Sequence, residues 1–389
     1  MRSTSIKLRP NFAAWLMRIA FINPNLAHEY DVGTPFQQPL AGSQSAQCYL
    51  AIELARRGHE VGLFNGTKAS QVLHGVRCSP LNEFESWGRP DAILVLNSPN
   101  FARELRQKLG SDVLIFCWEH NPWSPDANYT AFLQSPLRAR DLILCVSEWQ
   151  RNNYIAGGNI PADRIFVVRN AISPFFESMF AEGDPILDFK AWPPVMAFTS
   201  TPYKGLKAAA IFFRELRKVD RSVTLNIFSS FEMYPPNNEH RLDRSWYEFY
   251  ESCRSMLGVN YIGNVSQKLL ARTLRTTLVL FFPSTLPEVS SICIMEAMAA
   301  GCVVICSGLG ALPEVMAGFG HVIELEDGKI VQGRHFIHRA LELLGEFKRG
   351  DAGLADRLRQ QVAYMNTHCR WSVRAAEFEA LVRDSIGRH

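Results

Sequence analysis

The sequence predicts an α/β protein with two domains, each built on a parallel β-sheet. Its 389 residues exceed what one ordinary hydrophobic core accommodates. Short runs that are apolar along their whole length alternate with helical patterns, which is typical of parallel strands covered by helices on both faces. The alternation stops in an acidic stretch with prolines at 176–194 and then begins again, so we expect the interdomain linker there.

The first half contains six short apolar runs that are bounded by turn residues and predict buried strands. They lie at 18–23, 60–64, 92–96, 113–117, 142–146 and 165–168. Helical patterns lie between them at 45–57, which Gly58 ends, and at 100–109. The second half repeats the rhythm, with strands predicted at 195–198, 225–228, 278–282 and 303–305. Its predicted helices lie at 207–217, 291–300 and 373–386.

The composition is that of an ordinary globular protein, with 47% hydrophobic and 20% charged residues. A formal net charge of only +3 indicates no nucleic-acid partner. The nine cysteines lack short paired spacing, which favours neither disulfides nor a zinc site and fits a reducing cytoplasm. No apolar run is long enough to cross a bilayer. We expect a cytoplasmic protein, with residues 1–16 as a disordered extension and peripheral contact with the inner membrane face left open.

The most informative segment follows the third strand predicted in the second half. A loop there carries Glu288, and a helix that begins near Ser290 carries Glu296. Backbone N–H groups at a helix N-terminus, here those of Val289 to Ser291, are suited to sugar hydroxyls or phosphate oxygens. Glu288 could accept hydrogen bonds from a sugar ring, and Glu296, two turns on, from a ribose diol. Alternatively, both are acids favoured by the helix dipole, although an unpaired acid inside an apolar helix is costly.

This segment resembles the Glu-x7-Glu signature of the family 4 retaining glycosyltransferases, which have the GT-B fold of two Rossmann-like domains facing a central cleft. The resemblance extends at lower strength along the chain from Met17. Supporting matches lie at 146–151, 168–171, 263–265, 283–284, 307–315 and 371. The resemblance implies an N-terminal acceptor domain at 17–180 and a C-terminal donor domain at 190–371. It also implies that the final helix, 372–389, packs back on the first domain.

The family's first signature glutamate binds the donor sugar and its second binds the ribose. The resemblance therefore implies these roles for Glu288 and Glu296 respectively. The backbone at Val289 and Ser290, with Ser291 beside them, is then expected to hold the sugar or the diphosphate. By the same resemblance, the loop that carries Val265 is expected to hold the base.

The resemblance also implies positive charge at the leaving diphosphate, where the family has a Gly-Arg-x4-Lys-Gly stretch. This chain keeps Lys204 before Gly205, but Thr199 stands where the arginine would be. We expect Ser200 or Thr199 to bond a phosphate oxygen and Lys207 to supply charge. Such groups lower the barrier, because the leaving diphosphate gains negative charge in the transition state.

Three further residues come from the first domain. His120 follows the fourth predicted strand, where family members often carry a histidine near the donor sugar, and it joins Glu288 and Lys204 as a candidate catalytic residue. Glu119 is a candidate for contact with the acceptor. Gly42 opens a helix whose N–H groups would approach the diphosphate. A histidine at a strand end and a glycine at a tight turn also occur in purely structural roles.

The resemblance implies a hexosyltransferase-type enzyme that moves a sugar from a nucleoside-diphosphate sugar to a glycan or lipid-linked acceptor, with retention of anomeric configuration. Biosynthesis of a glycan or cell-envelope polysaccharide is the expected context. No Asp-x-Asp pair is present, and the family uses no metal, so we expect no metal or other cofactor. Two alternatives stay open: a sugar-nucleotide epimerase of the same fold, and a catalytically weak donor-binding subunit, which the missing arginine suggests.

Overall fold

A computed structural model describes most of the chain and shows two separate sheets. The described residues are 16–110, 112–127, 129, 133, 141–232, 243–324 and 333–387. The disordered extension expected at 1–16 lies outside these ranges except for Leu16, whose side chain is exposed.

The first half of the chain contributes one eight-stranded sheet. Its strands are β1 (Arg18–Ile22), β2 (Glu60–Asn65), β3 (Gln71–Leu73), β4 (Val76–Pro80), β5 (Ala92–Leu96), β6 (Leu114–Trp118), β7 (Asp141–Cys145) and β8 (Ile165–Val167). Their order is β3-β4-β2-β1-β5-β6-β7-β8, and β3 alone among these pairs antiparallel. All six predicted strands are present. The sequence pattern missed β3 and β4, because β3 is largely exposed and β4 ends in a proline instead of forming an apolar run.

The second half contributes a six-stranded, fully parallel sheet. Its strands are β9 (Val195–Phe198), β10 (Thr224–Ile227), β11 (Val259–Tyr261), β12 (Val279–Phe282), β13 (Val303–Ser307) and β14 (His321–Ile323). Their order is β11-β10-β9-β12-β13-β14. The four predicted strands form the centre. The two edge strands were not predicted, because each has only three residues and neither is fully buried.

Helices cover both sheets. Those that the structure describes are α1 (Thr34–Gln37), α2 (Gly42–Arg56), α3 (Pro99–Leu109), α4 (Glu148–Gly158), α5 (Leu206–Val219), α6 (Arg244–Arg254), α7 (Gln267–Thr276), α8 (Ile292–Ala299), α9 (Leu312–Met316), α10 (Gly333–Lys348), α11 (Ala352–His368) and α12 (Trp371–Gly387). The five helices predicted from the sequence are α2, α3, α5, α8 and α12. The other described helices were not predicted from the sequence; α7, for example, buries Ala271 and Leu274.

The first sheet is buried on both faces because its central strands are apolar at every position. Ile19 and Phe21 belong to one hydrophobic cluster, whereas Ala20 and Ile22 belong to another on the opposite face. Successive side chains of a strand point to opposite faces, so one strand supplies two layers of core. This burial on both sides explains why these strands are readable in the sequence as continuous apolar runs.

The final helix α12 packs against the first domain. Its buried residues Trp371, Ala375, Phe378 and Val382 recur at helical spacing and share the core of the first sheet. On the same helix, the Glu379 carboxylate accepts hydrogen bonds from Arg57 at 2.6 and 2.7 Å. The chain therefore crosses from the second domain back to the first, which ties the domains together covalently at two places.

Each sheet has a point where the strand order reverses. In the first sheet it lies between β1 and β5, and in the second between β9 and β12. Connections leave such neighbouring strands in opposite directions, which opens a crevice at the carboxyl ends of the strands. The fold thus provides a crevice in each domain, and loops that follow strands are placed to line them.

Candidate active site

A cleft of about 480 Å³ lies between the carboxyl edges of the two sheets. Loops that follow β5, β6 and β8 line it from the first domain, and loops that follow β9 to β12 line it from the second. The starts of α2 and α8 complete the wall. Most residues proposed from the sequence line this cleft: Gly42, His120, Ser200, Lys204, Val265, Glu288, Val289, Ser290, Ser291 and Glu296.

Lys204 and Glu288 form an ion pair in the wall of the cleft. The Lys204 Nζ lies 2.7 Å from Glu288 Oε2, with the carboxylate side chain 5% exposed and the lysine side chain 30% exposed. Burial disfavours the charged lysine, but the charge and hydrogen bond of Glu288 outweigh it and raise the pKa of Lys204. The ammonium therefore stays charged and partly open to the cleft.

Two glycines allow close packing around the loops that carry Lys204 and Glu288. Gly205 has a φ of +108°, and a Cβ there would lie 2.1 Å from the Pro283 carbonyl oxygen. Gly310 has a φ of +65°, and a Cβ there would lie 2.4 Å from the Glu288 carbonyl oxygen. That same oxygen accepts the Ala311 N–H at 2.7 Å. Only glycine tolerates both the left-handed backbone and the contact, so these positions fix where the ion pair stands.

Glu296 is buried in α8 with its carboxylate at the cleft. Its Oε1 accepts the Ser173 N–H at 3.3 Å, and the Gln267 side chain also hydrogen-bonds it. Burial nevertheless raises the pKa of Glu296 to about 8. The Tyr49 hydroxyl lies 3.1 Å from Ser173 Oγ, so a first-domain helix supports the segment that holds this carboxylate. A buried acid with a raised pKa in a cleft is suited to a ligand that supplies the missing hydrogen bonds.

Two helices point their N-termini into the cleft next to each other. A Cβ added to Gly42 would lie 3.4 Å from Ile292 Cδ1, which places the starts of α2 and α8 in contact. Neither N-cap residue, Ala41 or Ser291, makes a side-chain capping hydrogen bond. The first-turn N–H groups of both helices therefore lack intrahelical partners and carry partial positive charge, which favours an anion.

The start of α8 corrects one expectation. The helix begins at Ile292, one residue after the start of the predicted range 291–300, and Ser291 is its N-cap. Its free first-turn N–H groups are accordingly those that begin at Ile292, whereas Val289 and Ser290 belong to the preceding loop. Both loop residues still line the cleft, but the helix dipole acts from a position further along the chain.

His120 is held in a neutral state beside the cleft. Its Nε2 lies 3.3 Å from Asn170 Oδ1, and its Nδ1 is buried without a hydrogen-bond partner. Burial lowers the pKa of His120 to about 4. Its backbone N–H donates to Asn97 Oδ1 at 2.7 Å. A neutral imidazole so placed can form hydrogen bonds with a sugar but cannot act as a resident cation near neutral pH.

The loop after β9 brings hydroxyls as well as Lys204 to the cleft. Thr199, which stands where the family resembled has an arginine, is 8% exposed, and its Oγ1 has no hydrogen-bond partner. Thr201 Oγ1 is likewise buried without one. Both residues and Ser200 line the cleft. Unpaired buried hydroxyls cost free energy unless a ligand or water satisfies them, so they mark this loop as a binding surface.

Lys207 does not reach the cleft, contrary to the sequence-based expectation. Its Nζ lies 4.4 Å from the Trp246 ring centroid and 5.8 Å from that of Phe249. It stands in the first turn of α5 and is not among the residues that line the cleft. The lysine therefore makes a cation–π contact on the domain surface and supplies no charge to the cleft.

Glu119 is also misplaced as an acceptor residue. Its side chain is fully buried and does not line the cleft. Its oxygens accept hydrogen bonds from Cys117 at 2.8 Å and from Tyr129 at 2.7 Å, and Tyr154 approaches at 3.5 Å. Burial raises the pKa of Glu119. The carboxyl group belongs to an interior polar cluster behind His120, because consecutive residues after a strand point to opposite sides.

Several cleft residues were not singled out from the sequence. Asn97 follows β5 directly, so the strand-end rule could have found it. Tyr49, Gln267 and Gln44 lie within helices and carry no local signal of function. Only the packing of those helices shows that their polar groups meet in one cleft.

Among the residues that the structure describes, no cluster of three or more histidine, cysteine or acidic side chains could hold a metal ion. Within the same residues, none of the helices combines the length and the apolar character that a membrane span requires. The described cysteines are all unpaired.

Comparison with known proteins gives a family match for the second domain and a relative for most of the chain. A model of the family described as glycosyl transferases group 1 matches residues 193–345. The chain is also 27% identical over 333 residues to O-antigen chain mannosyltransferase B of Escherichia coli, an alignment that covers 75% of this chain and 85% of that protein.

Solved structures share the whole architecture. A glycosyltransferase from Rickettsia africae superimposes with a TM-score of 0.71 at 12% identity, covering 96% of this chain and 99% of that one. A sucrose-phosphate synthase from Thermosynechococcus elongatus gives a TM-score of 0.71 at 15% identity, covering 96% and 100%. At such identities the likeness concerns the fold alone, and it confirms the GT-B arrangement expected from the sequence.

Proposed function

We propose that this chain, a glycosyltransferase whose second domain is of group 1, transfers a sugar from a nucleoside-diphosphate sugar to an acceptor hydroxyl with retention of anomeric configuration. One observation carries the proposal. Glu288, Glu296 and Lys204 meet two uncapped helix N-termini in a single interdomain cleft. Acids for hydroxyl groups and positive groups for phosphates are the two recognition elements that a nucleotide sugar requires.

The nucleotide would bind along the second domain. Glu296 is buried where it can accept hydrogen bonds from two ribose hydroxyls, and the loop with Val265 lines the same side. The diphosphate would lie over the starts of α2 and α8 and beside Lys204. Thr199 Oγ1, which is unpaired, supplies a further donor where the arginine is missing. In this chain, the helix N-termini and Lys204 would therefore supply the positive charge that an arginine and a lysine supply in the family resembled.

In the proposed step, the bond from the anomeric carbon to the β-phosphate oxygen breaks, and a bond to the acceptor oxygen forms on the same face of the sugar. The proton of the acceptor hydroxyl passes to an oxygen of the leaving diphosphate. Glu288 orients the sugar hydroxyls, while Lys204 and the helix N-termini stabilise the charge that develops on the leaving group. Retention rests on the resemblance of the Glu288-to-Glu296 segment to the retaining family.

The positive groups at the cleft also support a reaction without a metal ion, since they already supply the stabilisation that a divalent cation would provide. We further propose that the acceptor is a glycan or a lipid-linked glycan on the cytoplasmic side of a membrane. The relative named as an O-antigen chain mannosyltransferase supports mannose as the first sugar to test and polysaccharide biosynthesis as the context.

Thermal stability with UDP, GDP, ADP and CDP, each with and without EDTA, tests the donor site. A ligand at roughly 100 times its Kd stabilises the folded protein by about 2.7 kcal/mol, which raises Tm by several degrees. We expect one nucleotide to raise the Tm of the wild type. This increase in Tm should be the same with and without EDTA and should be lost in Glu296→Ala. The matching 2′-deoxynucleotide should bind more weakly than the ribonucleotide to the wild type, and by a smaller margin to Glu296→Gln, whose amide keeps only one acceptor oxygen.

The anomeric configuration of the product, read by proton NMR during transfer from GDP-mannose and then from other nucleotide sugars, tests retention. A rise in Tm with a nucleotide but no transfer to any acceptor would favour a catalytically weak donor-binding subunit, and an inverted product would exclude the proposed step. Epimerisation of the donor without an acceptor would assign the site to an isomerase instead.

A further inference from the structure

A second cavity of about 400 Å³ adjoins the cleft on the first-domain side. It lies at the carboxyl ends of β1 and β5, at the strand-order reversal of the first sheet. His28, Gln44 and Asn97 line both cavities, so the two are continuous. Its volume is within the range of about 300–1,000 Å³ that small-molecule sites occupy.

The side chains that line this cavity are mostly polar and uncharged. Its lining includes Asn23, Asn25, His28, Gln44, Asn97 and Ser98, with no aspartate, glutamate, lysine or arginine among the described residues. Burial lowers the pKa of His28, which keeps its imidazole neutral near pH 7. The cavity is therefore polar but uncharged, in contrast to the donor cleft beside it.

Three amide side chains in the cavity each have an oxygen that already accepts one hydrogen bond. Gln44 Oε1 accepts from the Ser43 hydroxyl at 2.9 Å, and Asn97 Oδ1 accepts from the His120 N–H at 2.7 Å. Asn25 Oδ1 accepts from the Ala27 N–H at 3.2 Å. These bonds orient each amide, so the NH2 groups are left for a ligand, since they have no partner among the residues that the structure describes.

We propose that this cavity is the acceptor subsite and that it selects an uncharged sugar, whose hydroxyl oxygens accept hydrogen bonds from the NH2 groups of Asn25, Gln44 and Asn97. This inference rests on the proposed glycosyl transfer and adds the class of acceptor. A phosphorylated or carboxylated sugar would lose its hydration here without gaining a cation. Burying an ion without a partner is far more costly than burying a hydroxyl that is hydrogen-bonded.

The nearest cation of the cleft does not alter this selection. Lys204 is paired with Glu288 at 2.7 Å and faces the diphosphate position in the second domain. The Glu288 carboxylate offsets the charge of Lys204, so this ion pair gives an anionic acceptor no net positive charge. The uncharged lining thus discriminates against anions as well as providing donors for hydroxyls.

The test uses methyl α-mannoside, methyl α-glucoside and methyl α-galactoside, with the 6-phosphate and the 6-carboxylate of each. Binding is read by saturation-transfer NMR with saturating nucleoside diphosphate, and transfer is read as kcat/KM with the donor found by the nucleotide screen. We expect at least one neutral glycoside to bind and to exceed its anionic counterparts by tenfold or more. Equal or better use of an anionic form, or no neutral binding to a nucleotide-loaded protein, would overturn the inference.

Two variants and one control test whether the cavity itself selects the neutral glycoside. Asn25→Arg places a cation at the exposed mouth of the cavity and should lower the preference for the neutral glycoside over its 6-phosphate at least tenfold. Gln44→Glu is isosteric but anionic and should weaken use of the neutral glycoside, whereas Gln107→Glu adds the same charge on the exposed face of α3 and should not. An unchanged preference in Asn25→Arg would count against the subsite. Failure of the proposed function is distinguishable, because the wild type would then transfer sugar to none of the glycosides, neutral or anionic, whereas failure of the inference leaves transfer intact and changes only the preference.

Discussion

The Lys204 ammonium and the Glu288 carboxylate lie 2.7 Å apart, although 84 positions separate them in the chain. The sequence resemblance implies a separate partner for each, the diphosphate for the lysine and the sugar for the glutamate. In the structure each also holds the other in place. A donor that binds between them must therefore share these groups with the ion pair, and removal of either residue leaves the other charge uncompensated at the wall of the cleft.

Replacement of Lys204 by methionine should lower kcat by roughly 10²-fold or more, as removal of a preorganised group that stabilises developing charge does in other enzymes. Initial-rate kinetics over a range of donor concentrations measure the effect. Lys207→Met is the matched control, because that lysine lies over Trp246 outside the cleft and its loss should leave kcat unchanged. Similar losses of kcat in the two variants would show that Lys204 has no specific role at the diphosphate and that any positive charge near this loop has the same effect.

Glu296 should make the unliganded protein less stable as the pH rises. Burial raises its pKa from 4.5 to about 8, so between these values the folded chain keeps a proton that the unfolded chain has released. Stability then falls by up to about 1.4 kcal/mol per pH unit across this window and stays level above it. Glu296→Gln removes the titration, so the Tm of this variant relative to wild type should increase up to about pH 8.

Thermal melts from acidic to alkaline pH give this comparison directly. Glu215→Gln is a suitable control, because the Glu215 side chain is 37% exposed on α5 and its hydrogen bond with Lys218 lowers its pKa instead of raising it. A Tm difference between Glu296→Gln and wild type that does not change with pH would mean that Glu296 is already ionised in the folded protein.

Glu314 joins the two domains, and its loss should favour an open cleft. From α9 it accepts the N–H groups of Glu148 and Trp149, at the start of α4, at 3.1 and 3.0 Å. It also pairs with Arg169 at 2.9 Å. Hydrogen bonds to charged groups contribute about 1.5–3 kcal/mol, and the lower end applies to this partly exposed carboxylate. Glu314→Ala should therefore increase the radius of gyration in solution scattering and raise the KM for the donor.

Addition of the nucleotide should reduce the difference in radius of gyration between Glu314→Ala and the wild type, because a ligand that contacts both domains favours the closed form. Glu215→Ala removes an exposed acid of the second domain that contacts only its own helix, and it should alter neither quantity. An unchanged KM in Glu314→Ala would indicate that the covalent crossing through α12 alone holds the domains together.

Gly205→Ala should disturb the loop that carries Lys204. The φ of +108° disfavours alanine, and the added Cβ would lie 2.1 Å from the Pro283 oxygen, so the two loops must separate. We expect a lower Tm and a weaker nucleotide effect. Gly350→Ala meets a φ of +62° but no atom within 4 Å, so it should cost only about 1 kcal/mol from backbone strain and leave nucleotide binding intact. Equal changes in Tm and in the nucleotide effect for the two variants would mean that the close contact with the Pro283 oxygen does not determine the position of the Lys204 loop.

The sequence by itself predicts the two α/β domains, because strands buried on both faces must be apolar throughout and are therefore visible as runs. It also places Glu288 and Glu296 in one cleft, since a loop and the helix that follows it cannot separate far. These features depend on neighbours along the chain, which a sequence records directly.

Only the tertiary structure decided which other polar groups meet them. Glu119 and His120 are adjacent in sequence, yet one is in an interior cluster and the other at the cleft, because backbone direction after β6 sends them to different sides. Lys204 and Lys207 are three positions apart, yet Lys204 lines the cleft and Lys207 lies over the Trp246 ring. The oriented amides of Gln44 and Asn97 come from separate elements and carry no pattern of their own. Their meeting depends on how the sheet and α2 pack, and packing is a property of the whole fold.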